Sequence, residues 1–326
     1  MMSNLPVSEG LLLLPRIQVQ NANAISSSLT WGFPSITAFA GLMWALERRC
    51  QCLELPLIFE SVGVVCHSFQ HQVTNTGFYN RFSLTRNPLD KDGNSASIIE
   101  EGRMHLDISL LFGVSGTFLT ELEETKARIA QTIMNILSAM RIAGGSVLPS
   151  RKYSRLRPGF FSMSESENEE KSFFTKLKYQ LLPGSALVER PDLLEKRLDL
   201  LRQEQPEANV LDAWLSLSRF NWRATQEDSP SDDSDSAPKV KWQHDRKNAG
   251  WIVPIPLGYA TLTSRQKPGS VKNARDLHIP FYFVESVYGI GEWIAINKLY
   301  TPNQLLWYAK NEEGLFRCYN AYNNFS

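Results

Sequence analysis

No run of apolar residues in this sequence approaches the roughly 18 that a membrane helix needs, and the run Leu11–Leu14 only opens an alternating segment. A basic N-terminal region followed by an apolar segment and a small-residue cleavage site is also missing, which predicts a cytoplasmic chain without a signal peptide. Cysteine is scarce: Cys50, Cys52, Cys66 and Cys318 are the only four in 326 residues. They form no disulfide framework, and Cys50-Gln51-Cys52 is half of a metal motif with no second pair. The five histidines do not cluster at ligand spacing, so neither a metal nor a cofactor is expected. Catalytic signatures are thin as well. There is no G-x-S-x-G, Walker A, H-E-x-x-H or dinucleotide fingerprint. "YGIGEWI" (Tyr288–Ile294) carries only a G-x-G and reads as a turn.

Net charge is zero, with 34 basic and 34 acidic residues, but the acids are unevenly placed. Residues 224–238 hold Glu227, Asp228, Asp232, Asp233 and Asp235, and "ESENEE" (Glu165–Glu170) holds four more. Both stretches are polar, acidic and free of aromatics, which predicts disorder. Without those nine, 25 acids face 34 bases, so the remaining body carries +9. Such a body suits an anionic partner, although ordinary solvation of a large surface explains it as well.

The hydrophobic pattern predicts a strand over Leu11–Gln20 and a helix over about Ser35–Arg49 with Ile36, Phe39, Ala40, Met43 and Leu46 on its buried face. A second strand follows over Leu57–Phe69. A long excursion over residues 70–102 reads as an extended hairpin. Arg103–Leu111 alternates strictly, with Met104, Leu106, Ile108 and Leu110 on a buried face and Arg103, His105, Asp107 and Ser109 on a wet one. A second helix is expected from a Thr120/Glu123 capping box to Arg141, with Leu122, Ile129, Ile133, Ile136, Leu137 and Met140 on its apolar face. The glycines of "AGGSVL" would stop it and open a short strand. The order β-α-β-β-α-β is the ferredoxin-like (RRM-like) pattern, an α+β class with both helices on one face and the other face open. The expected organisation is a ferredoxin-like RNA-binding domain over 1–160, carrying the insertion at 70–102. A less regular α+β region over 161–326 contains the acidic insert at about 224–238. In that region "QLLPGSALVER" reads as strand, turn, strand, Asp192–Arg202 and Asn209–Phe220 as helices, and Gly250–Leu262 as β structure.

The loop after the first strand, "QNANAISSSLTWGFPS", is too long and too rich in amides for a simple connection. Single-stranded RNA is held by amide contacts, Arg or Lys on phosphate, and aromatic stacking. Four segments supply those groups. Arg16, Gln20, Asn21, Asn23 and Trp31 come from the first. Arg81 and Arg86 come from the excursion. Arg141, Gly144, Gly145, Ser146 and Arg151 surround the glycine turn. Lys272, Asn273 and Arg275 lie near the C-terminus. The first and fourth strands of this fold run side by side, which would join the first and third segments. Trp31 has two readings, stacking on a base or packing against the first helix. The glycine pair also has two, close approach of a phosphate backbone or a plain helix stop.

The stretches "LLLLPRIQVQNANAISSSLTWGFPS", "LTRNPLDKDG", "EEGRMHLDISLLFGV", "MRIAGGSVLP", "LLPGSALV", "GWIVPIPLGY", "NARD" and "GIGEWI" resemble, in order and spacing, the second-subunit family of the type I-F CRISPR surveillance (Csy) complex. That resemblance implies a non-catalytic subunit on the repeat-associated ferredoxin-like fold. Its partners would be the CRISPR RNA 5′ handle, the large subunit and the backbone filament subunit. The subunit would help cap the filament in antiviral defence. Target DNA would be met mainly through the assembly, since base pairing reads the target. The 70–102 insertion would be a thumb at the junction with the next backbone subunit. The alternatives are an endoribonuclease processing CRISPR repeat RNA, for which His67, His105, Tyr79 and Lys91 are the proton-transfer candidates, and a scaffold without a specific RNA site.

Overall fold

The computed structural model describes residues 6–55, 57–89, 92–149, 156–163, 166–226, 240–247, 249–274 and 276–324, the side chains of 167–169, 226 and 324 excepted. The elements run β1 (Gly10–Asn23), α1 (Ile36–Gln51), β2 (Ile58–His71), β3 (Val73–Asn75), β4 (Asn80–Arg86), β5 (Ile98–Glu101), β6 (Arg103–Ser115) and α2 (Glu123–Ser138). They continue with β7 (Arg141–Ile142), β8 (Gly145–Leu148), β9 (Gly159–Ser162), α3 (Glu167–Leu181), β10 (Ser185–Glu189), α4 (Pro191–Glu204) and α5 (Val210–Leu217). The last are β11 (Trp222–Gln226), β12 (Val240–His244), β13 (Trp251–Thr261), β14 (Val284–Ala295), β15 (Leu306–Glu312) and β16 (Leu315–Asn320). The class is α+β, built on one large antiparallel sheet.

In the first part of that sheet the strand order is β8-β1-β6-β2, every neighbour antiparallel. The expected buried face of α1 is buried throughout, and the Ser35 hydroxyl caps the helix by accepting from the Thr37 amide at 3.3 Å. Ala130, Ile133 and Leu137 of α2 join α1, Leu12 and Leu14 in one hydrophobic core, so both helices cover the same face. The excursion between β2 and β6 forms a separate three-stranded sheet, β3-β4-β5.

The structure corrects several expectations. The opposite sheet face is not open along its length. Phe174, Leu177 and Leu181 of α3 pack there with Leu11, Leu13, Val65 and Leu111 in a second core, and Asp107 and Ser109 are buried with them. Only the Arg103 and His105 end of β6 keeps its wet side. The Thr120/Glu123 capping box does not form: Thr120 belongs to a 3-10 turn and donates to the Thr117 carbonyl at 2.8 Å. Leu122 is the N-cap of α2 and is exposed rather than part of its apolar face. The helix ends at Ser138, so the glycines lie in the β7–β8 hairpin turn and do not stop it. The part of "ESENEE" from Glu167 on forms the start of α3, an ordered helix rather than a disordered stretch, while Glu165 lies outside the described residues. "QLLPGSALVER" begins as the end of α3 and only then becomes β10. "YGIGEWI" lies inside β14, where a Cβ on Gly289 or Gly291 would press on Leu257 or Ile255. Ala224–Gln226 finish β11, and the rest of the acidic insert lies outside the described residues.

The C-terminal strands extend the same sheet in the order β10-β14-β13-β16-β15. Both ends of this array reach β2: β15 pairs at Val62 and Gly63, and β10 pairs at Val65 and Cys66. One hydrogen-bonded sheet therefore runs through both parts of the chain.

Candidate nucleic-acid interface

At the end of β1 the ladder with β6 shifts register between Val19 and Ala22, leaving Gln20 and Asn21 in a bulge. Bulges re-aim side chains that a regular strand would pair. Asn21 takes a φ of 58°, its amide donates to His105 Nδ1 at 3.2 Å, and its carbonyl accepts from Arg103 Nη1 at 3.3 Å. Its side-chain amide makes no hydrogen bond among the described residues. Opposite lies the tight β7–β8 hairpin, with Gln20 paired to Ser146. Ala143 (φ 47°) and Gly144 (φ 78°) make its turn. Gly145 is fixed by packing, since a Cβ there would sit 2.7 Å from the Ala22 nitrogen and the Gln20 carbonyl.

These pieces enclose a polar cleft of about 440 Å³ lined by Gln20, Asn21, Arg141, Gly144 and Ser146, together with Gln72, Ser83, Glu101 and Arg103. The first and third candidate segments thus meet, and two strands of the excursion close the far side. Arg141 is exposed and donates to the Gly144 carbonyl at 3.3 Å. Arg103 is ion-paired with Glu101, a carboxylate that partly offsets the two guanidinium groups. Sequence reading left Arg103, Gln72, Ser83 and Glu101 out of the site. The signal for Arg103 was its place on the wet side of an alternating strand; the other three needed the fold of the excursion.

The remaining candidates fall elsewhere. Arg16 does not face solvent. A second bulge, between Leu14 and Ile17, puts it at φ 51° and 7% exposure, with Nη1 3.6 Å from Asp107 and Nη2 donating to the Leu182 carbonyl at 3.0 Å. This corrects its reading as a phosphate contact: it is a buried structural cation. Asn23 is exposed, but its amide group is engaged at both ends by the Ile25 backbone, at 2.6 and 3.1 Å. Trp31 is not packed against α1. It is 57% exposed and edges onto His71 and Phe82 at centroid distances of 5.2 and 5.6 Å. Arg81 and Arg86 are exposed on β4. Lys272 and Asn273 are exposed in the loop between β13 and β14 and do not line the cleft. Arg151 and Arg275 lie outside the described residues.

The proton-transfer candidates do not converge. His67 Nδ1 donates to the Pro183 carbonyl at 2.7 Å and Nε2 meets the Ser109 hydroxyl at 2.7 Å, so both ring nitrogens are engaged. Burial holds its pKa below the ordinary value, which the neighbouring Arg16 charge reinforces. His105 accepts from the Asn21 backbone, Tyr79 is exposed on the excursion, and Lys91 lies outside the described residues. Among the described residues no three His, Cys, Asp or Glu side chains gather at metal-binding distance, and no helix is long and apolar enough to cross a membrane.

Comparison with known proteins matches residues 12–318 to a family model described as CRISPR-associated protein (Cas_Csy2). The chain is also similar to CRISPR-associated protein Csy2 of Pseudomonas aeruginosa (strain UCBPP-PA14), with 43% identity over 315 residues, which cover 95% of this chain and 94% of the relative. The bulged β1 with its amide-rich loop and the glycine hairpin beside it both lie within the matched region, and the chain belongs to the CRISPR-associated Csy2 family.

Proposed function

We propose that this chain is a non-catalytic subunit of a type I-F CRISPR RNA-guided surveillance complex and that its cleft holds the 5′ handle of the CRISPR RNA. The observation that carries the reading is the meeting of the β1 bulge, the β7–β8 turn and two arginines in one polar cleft. Such a place offers amides for base edges and ribose hydroxyls, cations for phosphate, and a glycine, Gly144, in the turn where a backbone can approach. The strand order β8-β1-β6-β2, with α1 and α2 on one face, supports a repeat-associated ferredoxin-like core. On this reading the chain pairs with the large subunit and caps the backbone filament. The β3–β5 sheet is the thumb at the filament junction, and target DNA is met through the assembly.

The test is a salt titration of handle and scrambled RNA on the two-subunit complex. Arg141→Ala is expected to weaken binding and lower the log–log salt slope by about 0.7, the share of one phosphate contact on a single strand. Asn21→Ala is expected to leave the slope and reduce the preference for handle by roughly 1–3 kcal/mol, the scale of one base-edge contact. Equal affinity of the wild-type complex for both RNAs overturns the reading. Cleavage of repeat RNA is the rival reading, and the engagement of both His67 nitrogens argues against it. Incubating the purified complex with repeat RNA decides, and discrete cleavage products would favour the rival.

A further inference from the structure

A second hollow, of about 470 Å³, lies behind the cleft at the same end of the sheet. Its wall is aromatic, with Trp31, Phe33, Phe69, His71, Trp251 and Trp293 following one another around it. The rings form a series: Phe33 to Trp293 at 4.8 Å, Trp293 to Trp251 and Trp251 to Phe69 at 6.1 Å, Phe69 to His71 at 5.1 Å and His71 to Trp31 at 5.2 Å. Trp31, Phe69 and Trp251 remain 57, 43 and 54% exposed, more than a closed core leaves. No Asp, Glu, Lys or Arg lines the hollow, whereas Ser26, Ser35, Ser68 and Ser185 do. His71 Nε2 is buried there without a hydrogen-bond partner among the described residues. A buried polar atom in that state calls for an explanation.

We propose that this hollow is a pocket for one unstacked nucleobase of the RNA held in the cleft. The inference rests on the RNA-binding reading above and adds a second site to it. Neighbouring residues of the chain divide between the two sites. His71 lines the hollow and Gln72 the cleft; Met104 lines the hollow and Arg103 the cleft; Phe82 touches Trp31 while Ser83 lines the cleft. Successive residues of a strand point to opposite faces, so at the Arg103–Met104 end of β6 the two sites lie on opposite sides of that strand.

Their chemistry divides as a nucleotide does. The cleft has two guanidinium groups for the charged backbone, and the uncharged hollow has ring faces for a neutral base. Its size lies within the roughly 300–1,000 Å³ of ligand pockets. A base also brings edge donors and acceptors for the His71 nitrogen. An aliphatic side chain from a protein partner would cover the rings but leave that nitrogen unanswered.

The test compares handle RNA with a set of handles abasic at single positions, binding to the wild-type two-subunit complex and to its Trp251→Leu form. Trp251 is half-exposed, so its replacement is expected to leave the thermal midpoint of the complex in place. Trp251→Phe, which keeps a ring, is expected to bind as wild type does. Trp251→Leu is expected to weaken binding about tenfold, within the range of a lost base–aromatic stack, with an unchanged salt slope. One abasic position should give the same loss with wild type and no further loss with the variant. Additive losses at every abasic position overturn the pocket. So does a variant that binds RNA normally but loses a protein subunit, since the hollow is then a protein socket. The cleft reading fails separately: Arg141→Ala without effect, alongside intact coupling between Trp251 and one base, removes the cleft and keeps the pocket.

Discussion

Arg16 and His67 belong to one buried polar group that ties β1, β2 and β6 to the segment after α3. The Arg16 amide donates to Ser109 Oγ at 3.0 Å, and His67 bridges Ser109 to the Pro183 carbonyl. Arg16→Ala would strand Asp107, which is only 9% exposed, so we expect a stability loss of roughly 3–5 kcal/mol in urea denaturation, the usual cost of halving a buried ion pair. Normal stability with weakened RNA binding would return Arg16 to the nucleic-acid surface. His67 has a pKa held below its ordinary value of 6.5, so the unfolded chain binds its proton more readily. Its contribution to stability is complete above that value and falls as the pH drops below it. In His67→Asn, whose amide nitrogen can still reach Pro183, the urea midpoint should depend less on pH between about 7 and 5 than in wild type, following the loss of that one titration. Cysteine reactivity is equally local. Burial pushes the Cys50 thiol up to about 11 and the Cys66 and Cys318 thiols up to about 12, while Cys52 is exposed. A disulfide reagent should titrate one thiol in the native protein and all four in denaturant; more than one in the native state contradicts this packing.

Among the elements, α1 and the excursion sheet stand at opposite limits of burial. Helix α1 has its capping serine and a continuous buried face, and Leu46 is fully buried. Leu46→Ala should cost roughly 2–5 kcal/mol, read from the denaturation midpoint. The β3-β4-β5 sheet is exposed along nearly all its residues, with Leu84 at 69% and Phe78 in the β3–β4 turn at 95%. A three-stranded sheet without a core of its own is a poor store of stability, and apolar groups left this bare mark a contact surface. Changing Arg81 and Arg86 together to Glu should therefore leave the melting midpoint unchanged and weaken assembly with the RNA-bearing filament. Assembly at wild-type affinity would remove the thumb role.

At the scale of the whole molecule, β2 organises the chain. One of its edges pairs with β6, and the other is shared by β15 and then β10, which closes six antiparallel strands into a ring through β14, β13 and β16. Trp307 reinforces the closure by donating from Nε1 to the Leu187 carbonyl at 2.9 Å. Residues 1–163 alone would expose Leu11, Leu13, Val65 and Leu111, which the later helix and strands cover. We expect that fragment to aggregate or remain unfolded, judged by circular dichroism and sedimentation. A soluble, cooperatively folding fragment would instead support a division near residue 160.

The sequence by itself determined the elements whose hydrophobic period is long and regular: β1, α1, β2, β6 and the body of α2. Their order already implied that the end of β1 lies beside the glycine hairpin, which is how Gln20, Asn21, Arg141, Gly144 and Ser146 could be joined in advance. Arg16 escaped that reading because a single inserted residue reverses the alternation on which inside and outside are judged, and the bulge's one mark in the sequence is Pro15, a residue that strands hold chiefly at edges and bulges. Asp107 and Ser109 escaped it because their polarity suits a wet face equally well in isolation. What covers them is α3, about 60 residues later, and only the tertiary contact decides that a Ser, an Asp, an Arg and a His are drawn together in the interior. The aromatic hollow was hidden for the same reason. Trp31, Phe69, Trp251 and Trp293 are far apart in the chain, and they become neighbours only when β13 and β14 fold back beside β2.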